Sequence, residues 1–370
     1  MDFQDQFTFQ IPTRIYYRPD GLSSIGDIIG KDYRYERVFL VYGRSSLKKT
    51  GNYQKIVDSL NANSIVFDEY SGIDANPDIE DVKKMTYQAR EFKPDIVLAV
   101  GGGSVIDASK LLSHTYFYKG NFLDFNKHVC KPINGLPLAT VPTISGSGSE
   151  MSDSCVISDR KTGFKGGFNH PLNYPTFSLL DPTLTYTVSD YQTAIGIIDM
   201  FSHSFERFFS KSSELEPSDS LALAVMKEVV KAGRLFFSPY REGHEYEIRK
   251  SLMILAALSH NGFTSFGKQK KFMVHGAEHR LSGRYPNLYH GEGIGILMPI
   301  YLRNNEKLFN DKLIEMGKVV FELNNPTSSE SIASLVEFLN LMPVAHTFAE
   351  LDFQISEEDR KKAELFLFVK

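Results

Sequence analysis

Five side chains in the second half of the chain have the types and spacing of a metal site. Asp199 and His203 are four residues apart in an apolar segment with helical periodicity, so their side chains share one helix face. His275 and His279 repeat this spacing, and His290 follows them. Three histidines and a carboxylate suit Zn²⁺ or Fe²⁺, whereas Mg²⁺ and Ca²⁺ prefer oxygen ligands. Each residue alone also fits a core histidine or a helix-surface pair, and spacing leaves that alternative open.

A glycine-rich loop in the first half of the chain could bind a pyrophosphate. Gly101, Gly102, Gly103 and Ser104 lie between a predicted strand and an amphipathic helix that contains Asp107. Glycine lets a ligand approach the backbone, and the helix N-terminus offers unpaired N–H groups with a positive dipole end. The loop is not a GxGxxG fingerprint, and a tight strand-to-helix turn explains it about equally well.

A second loop of small residues, 142–150, also follows a predicted strand. It includes Thr143 and Ser147 among other hydroxyls and glycines. Ligands of open α/β sheets bind outside the carboxyl ends of the strands, so this loop could line the same crevice. The alternative is a solvated Ser/Gly loop, but two such loops at equivalent strand ends favour a nucleotide.

A third loop indicates which nucleotide is bound. Gly43, Arg44, Ser45 and Ser46 follow the strand predicted at 37–42, and two lysines come shortly after them. An acidic residue near the ribose would favour NAD because it accepts from the 2′-hydroxyl and repels a 2′-phosphate. This stretch contains no acid, so we expect a preference for NADP(H), with NAD(H) as the alternative cofactor. Arg44 could also be a plain surface residue.

The elements that must position these groups change in character along the chain. Up to about residue 185, short β-like runs alternate with helical patterns, which predicts a mostly parallel sheet covered on both faces. The predicted strands are 37–42, 64–67, 95–100 and 137–141, and the predicted helices are 53–60 and 79–92. After residue 189 helical patterns dominate, at 194–210, 217–237, 246–259, 328–341 and 357–368. We therefore expect an α/β dinucleotide-binding domain over 1–185 and an all-helical metal and substrate domain over 186–370.

Composition narrows the function class. A chain of 370 residues exceeds what one hydrophobic core usually serves, which fits two domains. The formal net charge of −4 and the absence of a long basic run do not predict a nucleic-acid partner. Only Cys130 and Cys155 occur, in no CxxC pattern, as expected for a reducing cytoplasm. No secretory leader or membrane span is predicted.

Taken together, these segments resemble the iron-containing (group III) alcohol dehydrogenase family, nearest to its butanol-dehydrogenase-like branch. The likeness covers nearly the whole chain, and five family motifs appear in the family's order. They are GGGSxxDxxK at Gly101 to Lys110, PTTxGTGSE at Pro142 to Glu150, DPxLT at Asp181 to Thr185, GxxDxxxHxxE from Gly196 to Glu206, and HxxEHxLS from His275 to Ser282. Five ordered motifs make the resemblance specific.

The resemblance implies an active site between an α/β nucleotide domain and a helical metal domain. The metal ligands that it implies are Asp199, His203, His275 and His290. It places His279 beside the substrate and Lys165 near the cofactor. The loop at 43–46 resembles the YGGGS segment of the NADPH-dependent branch, with Arg44 in place of a glycine.

Two departures from the family pattern bear on the site. His275 and His290 are 15 residues apart, one more than the family spacing, so 284–289 must accommodate an extra residue. The early FGxG turn of the family is replaced by Tyr17-Arg18-Pro19-Asp20-Gly21.

The resemblance implies an oxidoreductase that transfers hydride between NADP(H) and a primary alcohol or aldehyde. A divalent Fe²⁺ or Zn²⁺ would act as a Lewis acid on the substrate oxygen. His279 would relay the hydroxyl proton or only shape the site, and Glu206 and Glu278 would orient imidazoles. The alternatives are an NAD-dependent polyol or sugar-alcohol dehydrogenase and a non-catalytic metal or nucleotide binder. A homodimer is expected by family analogy, the cysteine content favours the cytoplasm, and the sequence fixes neither the metal nor the substrate.

Overall fold

The computed structural model describes residues 8–210, 217–268 and 271–369, and these form two compact units. The α/β unit contains 11–144 and 149–187. The helical unit contains the described residues from Val188 onward, together with 8–10 and Ser145–Gly148. The two units are groups of residues that pack together, and the domain limits 1–185 and 186–370 stay a prediction.

The α/β unit is built on a six-stranded sheet in which every pair of neighbouring strands is parallel. Its strands are β1 (Arg14–Tyr17), β2 (Arg37–Tyr42), β3 (Val66–Tyr70), β4 (Ile96–Gly101), β5 (Leu138–Pro142) and β8 (Phe177–Leu180). A separate antiparallel hairpin pairs β6 (Ser154–Asp159) with β7 (Phe164–Asn169). The predicted α/β fold with a parallel sheet is confirmed.

The central strands are continuously apolar because both faces of the sheet are covered. In β2, Phe39 and Val41 pack in one buried cluster, whereas Val38 and Leu40 pack in the other. Successive side chains of a strand point to opposite faces, so each face needs its own apolar set. Strand β4 alternates in the same way between the two clusters.

The strand order is β1-β8-β5-β4-β2-β3, and it predicts where a ligand binds at the carboxyl ends of the strands. From β2 the chain continues to β3 on one side, and from β4 it continues to β5 on the other. Ligands of such sheets bind at the carboxyl ends of the strands where the direction reverses, here between β2 and β4. The loops at 43–46 and 101–104 follow these two strands.

Helices cover this sheet. They are α1 (Ile25–Asp27), α2 (Ser46–Lys49), α3 (Asn52–Ala62), α4 (Ile79–Phe92) and α5 (Gly103–Thr115). Helix α4 begins where the Asp78 carboxylate accepts from the backbone N–H of Glu80, which satisfies one of the unpaired donors of the first turn. The observed bounds of α4 are the predicted ones.

The helical unit packs around one large apolar cluster to which all its long helices contribute. Its helices are α6 (Asp190–Phe208), α7 (Pro217–Phe236), α8 (Glu245–His260), α9 (Met273–Ser282), α10 (His290–Asn304), α11 (Asn310–Val320), α12 (Ser328–Leu339) and α13 (Glu357–Phe366). The predicted change to helices after residue 189 is confirmed. Among the helices of the described ranges, none is both long and apolar enough to cross a membrane.

Candidate active site

Three helices of the helical unit position the predicted metal ligands. Helix α6 carries Asp199 and His203 on its buried face, one turn apart. His275 lies in the first turn of α9, and His290 is the first residue of α10. The four side chains thus come from a long helix and from the starts of two others.

Three of the predicted ligands converge on the fourth, Asp199. The Nε2 atoms of His203, His275 and His290 each lie 3.7 Å from the Oδ1 atom of Asp199. This distance is too long for a hydrogen bond. Tetrahedral Zn²⁺ with its usual bond lengths separates neighbouring ligand atoms by roughly 3.3–3.6 Å, so the donor set fits a divalent cation.

Burial of two of these atoms destabilises the folded protein when no cation is bound. Asp199 Oδ1 and His275 Nε2 are buried and make no hydrogen bond to any residue that the structure describes. A buried polar atom without a partner destabilises the fold, and a buried carboxylate does so strongly. A cation among these atoms would remove that cost.

Two glutamates fix how the imidazoles face the site. Glu206, on α6, bonds to His275 Nδ1 and accepts from the backbone N–H groups of Val274 (2.6 Å) and His275 (3.1 Å). Glu278 Oε2 lies 2.5 Å from His290 Nδ1. An ionised carboxylate only accepts hydrogen bonds, so each Nδ1 carries a proton, and in the neutral form of the ring Nε2 presents its lone pair.

The histidine pKa values respond to burial and to these charges. Burial lowers the pKa of His203 well below its usual value, and nearby His260 and His275 lower it further. Burial also opposes the charged form of His275, but the carboxylates of Glu206 and Asp199 raise its pKa to about 9. A histidine must be neutral to bind a metal, so cation binding would displace a proton from His275.

His279 lies beside this group and is not one of the three histidines whose Nε2 atoms lie 3.7 Å from Asp199 Oδ1. Its ring centroid is 6.3 Å from that of His275 and 5.4 Å from that of His290. The side chain is partly exposed. It is therefore placed to contact a ligand that approaches the four donors.

Sequence analysis missed a fifth histidine at the site. His260, the last residue of α8, lies edge to face against His203 with ring centroids 3.9 Å apart. Phe272 packs similarly against His275, with ring centroids 5.2 Å apart. His260 belongs to none of the recognised motifs, and its distance along the chain from His203 gives no local pattern.

Glycines let the supporting backbone segments touch. A Cβ on Gly196, one turn before Asp199, would lie 2.0 Å from the Ser145 carbonyl oxygen. A Cβ on Gly291, next to His290, would lie 2.2 Å from the Ile195 carbonyl oxygen. The loop 145–148 and the start of α10 therefore rest directly on α6. The contact of Gly291 with α6 holds the start of α10, and so His290, near Asp199 although 284–289 contain one residue more than the family spacing.

The loop at 101–104 is shaped by its neighbours in the α/β unit. Gly103 is the first residue of α5, and the Gly101 carbonyl accepts from the Thr143 N–H at 3.1 Å. A Cβ on Gly101 would lie 2.5 Å from the Val105 side chain. Gly102, Gly103 and Ser104 are partly exposed, as a phosphate-binding turn requires.

Asp107 is engaged inside the protein. Its Oδ1 accepts from Ser149 Oγ at 2.5 Å and its Oδ2 accepts from the Val156 N–H at 2.9 Å. The buried Lys110 donates to Ser149 Oγ at 2.8 Å and to the Ser154 carbonyl at 2.8 Å, and burial lowers its pKa. In this structure Asp107 fixes the second loop and β6, a role that sequence analysis did not predict.

The remaining predicted cofactor residues occupy three places. Arg44 pairs with Asp74, and Lys165 donates to Asn76 Oδ1 at 2.8 Å, so both side chains reach the segment 72–78. Gly43, Ser45 and Ser46 lie between β2 and α2. Ser147 belongs to the helical unit, whereas the other predicted cofactor residues belong to the α/β unit.

Comparison with known families identifies the chain. Residues 12–182 match the model of the family described as iron-containing alcohol dehydrogenase. Residues 193–365 match the C-terminal model of the Fe-containing alcohol dehydrogenase family. The chain is an iron-containing alcohol dehydrogenase. It is therefore an oxidoreductase of a family that uses a divalent metal and NAD(P)H.

Several relatives of this iron-containing alcohol dehydrogenase are similar over most of their length. NADH-dependent butanol dehydrogenase A of Clostridium acetobutylicum is 36% identical over 93% of this chain and 89% of its own. The Escherichia coli NADPH-dependent aldehyde reductase YqhD is 28% identical over 90% of this chain and 84% of its own. The crystal structure of NADH-dependent butanol dehydrogenase A of Thermotoga maritima superposes with a TM-score of 0.91, at 29% identity, over 99% of this chain and 91% of that one. The family and the fold are thus shown, and the relatives differ in their nucleotide.

Proposed function

We propose that this enzyme transfers hydride between NADP(H) and a primary alcohol or aldehyde beside a metal held by Asp199, His203, His275 and His290. The observation that supports the proposal is the set of three imidazole Nε2 atoms, each 3.7 Å from Asp199 Oδ1. Such a donor set suits Fe²⁺ or Zn²⁺.

When bound, the cation supplies a Lewis acid for the oxygen of the substrate. Glu206 and Glu278 hold Nδ1 protons and so keep the His275 and His290 lone pairs directed at one point. Phe272 packs edge to face against the His275 ring. A substrate oxygen at this point would be held by the cation, and hydride transfer then requires its carbon to face the nicotinamide.

We assign proton transfer to His279. Its imidazole is partly exposed and lies beside the donor set, with its ring 5.4 Å from that of His290. An imidazole titrates near neutral pH and carries protons between a hydroxyl and water. In the direction of alcohol oxidation, a ring nitrogen of His279 accepts the hydroxyl proton.

The nucleotide site is proposed at the carboxyl ends of β2 and β4. The start of α5 binds the pyrophosphate through its backbone N–H groups, assisted by Gly101 to Ser104. Arg44 follows β2, where the 2′ position of the adenosine ribose lies in folds of this class. A guanidinium there favours NADP(H) over NAD(H).

The test is a panel of aldehydes reduced by the metal-loaded enzyme with NADPH and with NADH. We expect turnover of linear primary aldehydes with a higher kcat/KM for NADPH. A preference for sugar aldehydes or ketones with NADH would support the polyol dehydrogenase instead. Nucleotide binding without turnover of any substrate would contradict the assignment of the reaction.

A further inference from the structure

The proposed preference for NADP(H) depends on Arg44, and the Arg44 side chain forms an ion pair with Asp74 in the loop after β3. Arg44 Nε bonds to one carboxylate oxygen of Asp74, and Arg44 Nη2 donates to the other at 2.8 Å. Arg160 Nη2 lies 3.9 Å from the same carboxylate. Asp74 therefore occupies the guanidinium fork that would otherwise face a phosphate.

The pair lies where the nucleotide ribose is expected. Arg44 is two residues beyond the end of β2, and Asp74 follows the neighbouring strand β3. The two loops are joined by a 3.0 Å hydrogen bond from the Gly72 N–H to the Gly43 carbonyl. Because β2 borders the point where the strand order reverses, Arg44 and Asp74 flank the ligand crevice of the α/β unit.

We propose that Asp74 sets the nucleotide selectivity of this enzyme by competing with the 2′-phosphate for Arg44. The inference rests on the proposed function. A guanidinium fork binds a carboxylate or a phosphate in the same bidentate geometry, so NADPH must displace Asp74 from Arg44. NADH leaves the pair intact, and its 2′-hydroxyl donates to the Asp74 carboxylate.

Separating Arg44 from Asp74 costs little free energy, so both nucleotides can bind. The Arg44 side chain is 75% exposed and the Asp74 side chain 28% exposed. Solvent screens such a pair, and an exposed ion pair changes an equilibrium by a factor of about five at most. Asp74 therefore weakens the preference for NADPH without abolishing it.

The experiment measures the dissociation constants of NADP⁺ and NAD⁺ by calorimetry for the wild type, Asp74→Asn and Arg44→Gln. Asn keeps the size of the side chain but removes its charge. For Asp74→Asn we expect tighter NADP⁺ binding and weaker NAD⁺ binding, with a change in their ratio of about fivefold. Arg44→Gln shifts the ratio the opposite way. The double variant loses both the partner of the 2′-phosphate and the charged acceptor of the 2′-hydroxyl, so its ratio lies between those of the two single variants.

The matched control is Asp27→Asn, which removes the same charge from another exposed pair, Asp27–Lys31 at 2.9 Å. It leaves the ratio unchanged. The inference is overturned if both nucleotides bind to the wild type and Asp74→Asn leaves their ratio unchanged, or changes it no more than the control. If neither nucleotide binds to the wild type, the proposed function fails and the inference with it. These binding measurements need neither substrate nor turnover.

Discussion

At the scale of single residues, the Glu206 carboxylate makes three hydrogen bonds that position the proposed ligand His275. It accepts from two backbone N–H groups at the start of α9 and bonds to His275 Nδ1. One side chain thus fixes both the helix that carries a ligand and the ring of that ligand. Carboxylates in this position raise the basicity of the imidazole and hold its tautomer.

Replacing Glu206 by Gln should weaken metal binding. An amide keeps the volume but loses the charge and one acceptor, so we expect a loss of affinity of about 10- to 100-fold. Competition with a chromophoric chelator measures it. The control is Glu292→Gln, because Glu292 is also buried in the helical unit but accepts from the Ala345 N–H at 3.0 Å. Equal affinities of Glu206→Gln and the wild type would contradict the role.

His279 should separate catalysis from metal binding. Since His279 is not among the four proposed ligands, His279→Ala should retain the wild-type metal content while kcat falls by about 100-fold or more. The pH dependence of kcat should also change, because the proton acceptor is lost. Metal analysis and a pH–rate profile measured on the same preparation decide this. Full activity with an unchanged profile would show that His279 only shapes the site.

At the scale of elements, the metal site depends on backbone contacts that glycine permits. Gly196 of α6 touches the Ser145 carbonyl, and Gly291 of α10 touches the Ile195 carbonyl. No side chain separates these segments, so a displacement of the loop 145–148 would move the helix that carries Asp199.

Gly196→Ala should disturb both stability and metal binding. Its Cβ would lie 2.0 Å from a backbone oxygen, so α6 or the loop must move. We expect a lower free energy of unfolding and weaker metal binding, although Ala favours a helix over Gly by about 1 kcal/mol. Urea denaturation and chelator competition measure the two effects.

Gly295→Ala is the matched control for that variant. Its Cβ would meet only the end of the Ile198 side chain, at 3.3 Å, which can rotate away. Gly295 is also buried in a helix of the same unit, so its stability should change little or increase. Similar losses in both variants would show that any added methyl group is harmful here, and that the backbone contact is not special.

The elements that sequence analysis predicted well have strong local patterns. Helix α4 has an Asp cap and regular apolar spacing, and its bounds were predicted correctly.

Strand β3 was predicted at 64–67 but spans Val66–Tyr70, because Ser64 has a left-handed backbone (φ 55°) that belongs to the preceding turn. The β6–β7 hairpin was missed because Gly166 and Gly167 weaken its strand pattern.

The site was predictable to the extent that its residues lie in motifs. The motifs contain Asp199, His203 and His275, and the structure brings these residues together with His290. Long-range pairings leave no such pattern. The bond of Arg44 to Asp74, 30 residues away, and the contact of His260 with His203 follow only from the folded chain.

At the scale of the whole molecule, a buried carboxyl makes stability depend on pH. Burial raises the pKa of Glu150 to about 7 from its usual 4.5. The folded state therefore holds this proton more tightly than the unfolded state, and stability falls as pH rises from 4.5 to 7. Below that window both states are protonated and the cost disappears.

Glu150→Gln should remove this dependence. At about pH 8 the free energy of unfolding should increase by up to ~3 kcal/mol, and at about pH 5 by less than ~1 kcal/mol. Denaturant titrations at the two pH values measure the difference. A variant that is equally destabilised at both values would show that Glu150 contributes packing rather than a pH-dependent cost.

The four proposed metal ligands, on which the proposed chemistry depends, all belong to the helical unit. The most direct test of the account is the ratio of metal to protein after reconstitution with Fe²⁺ or Zn²⁺, in the wild type and in Asp199→Asn. We predict one tightly bound ion per chain in the wild type and its loss in the variant, with an unchanged circular dichroism spectrum. Stoichiometric binding that survives Asp199→Asn, or no binding to the wild type, would contradict the four-residue site.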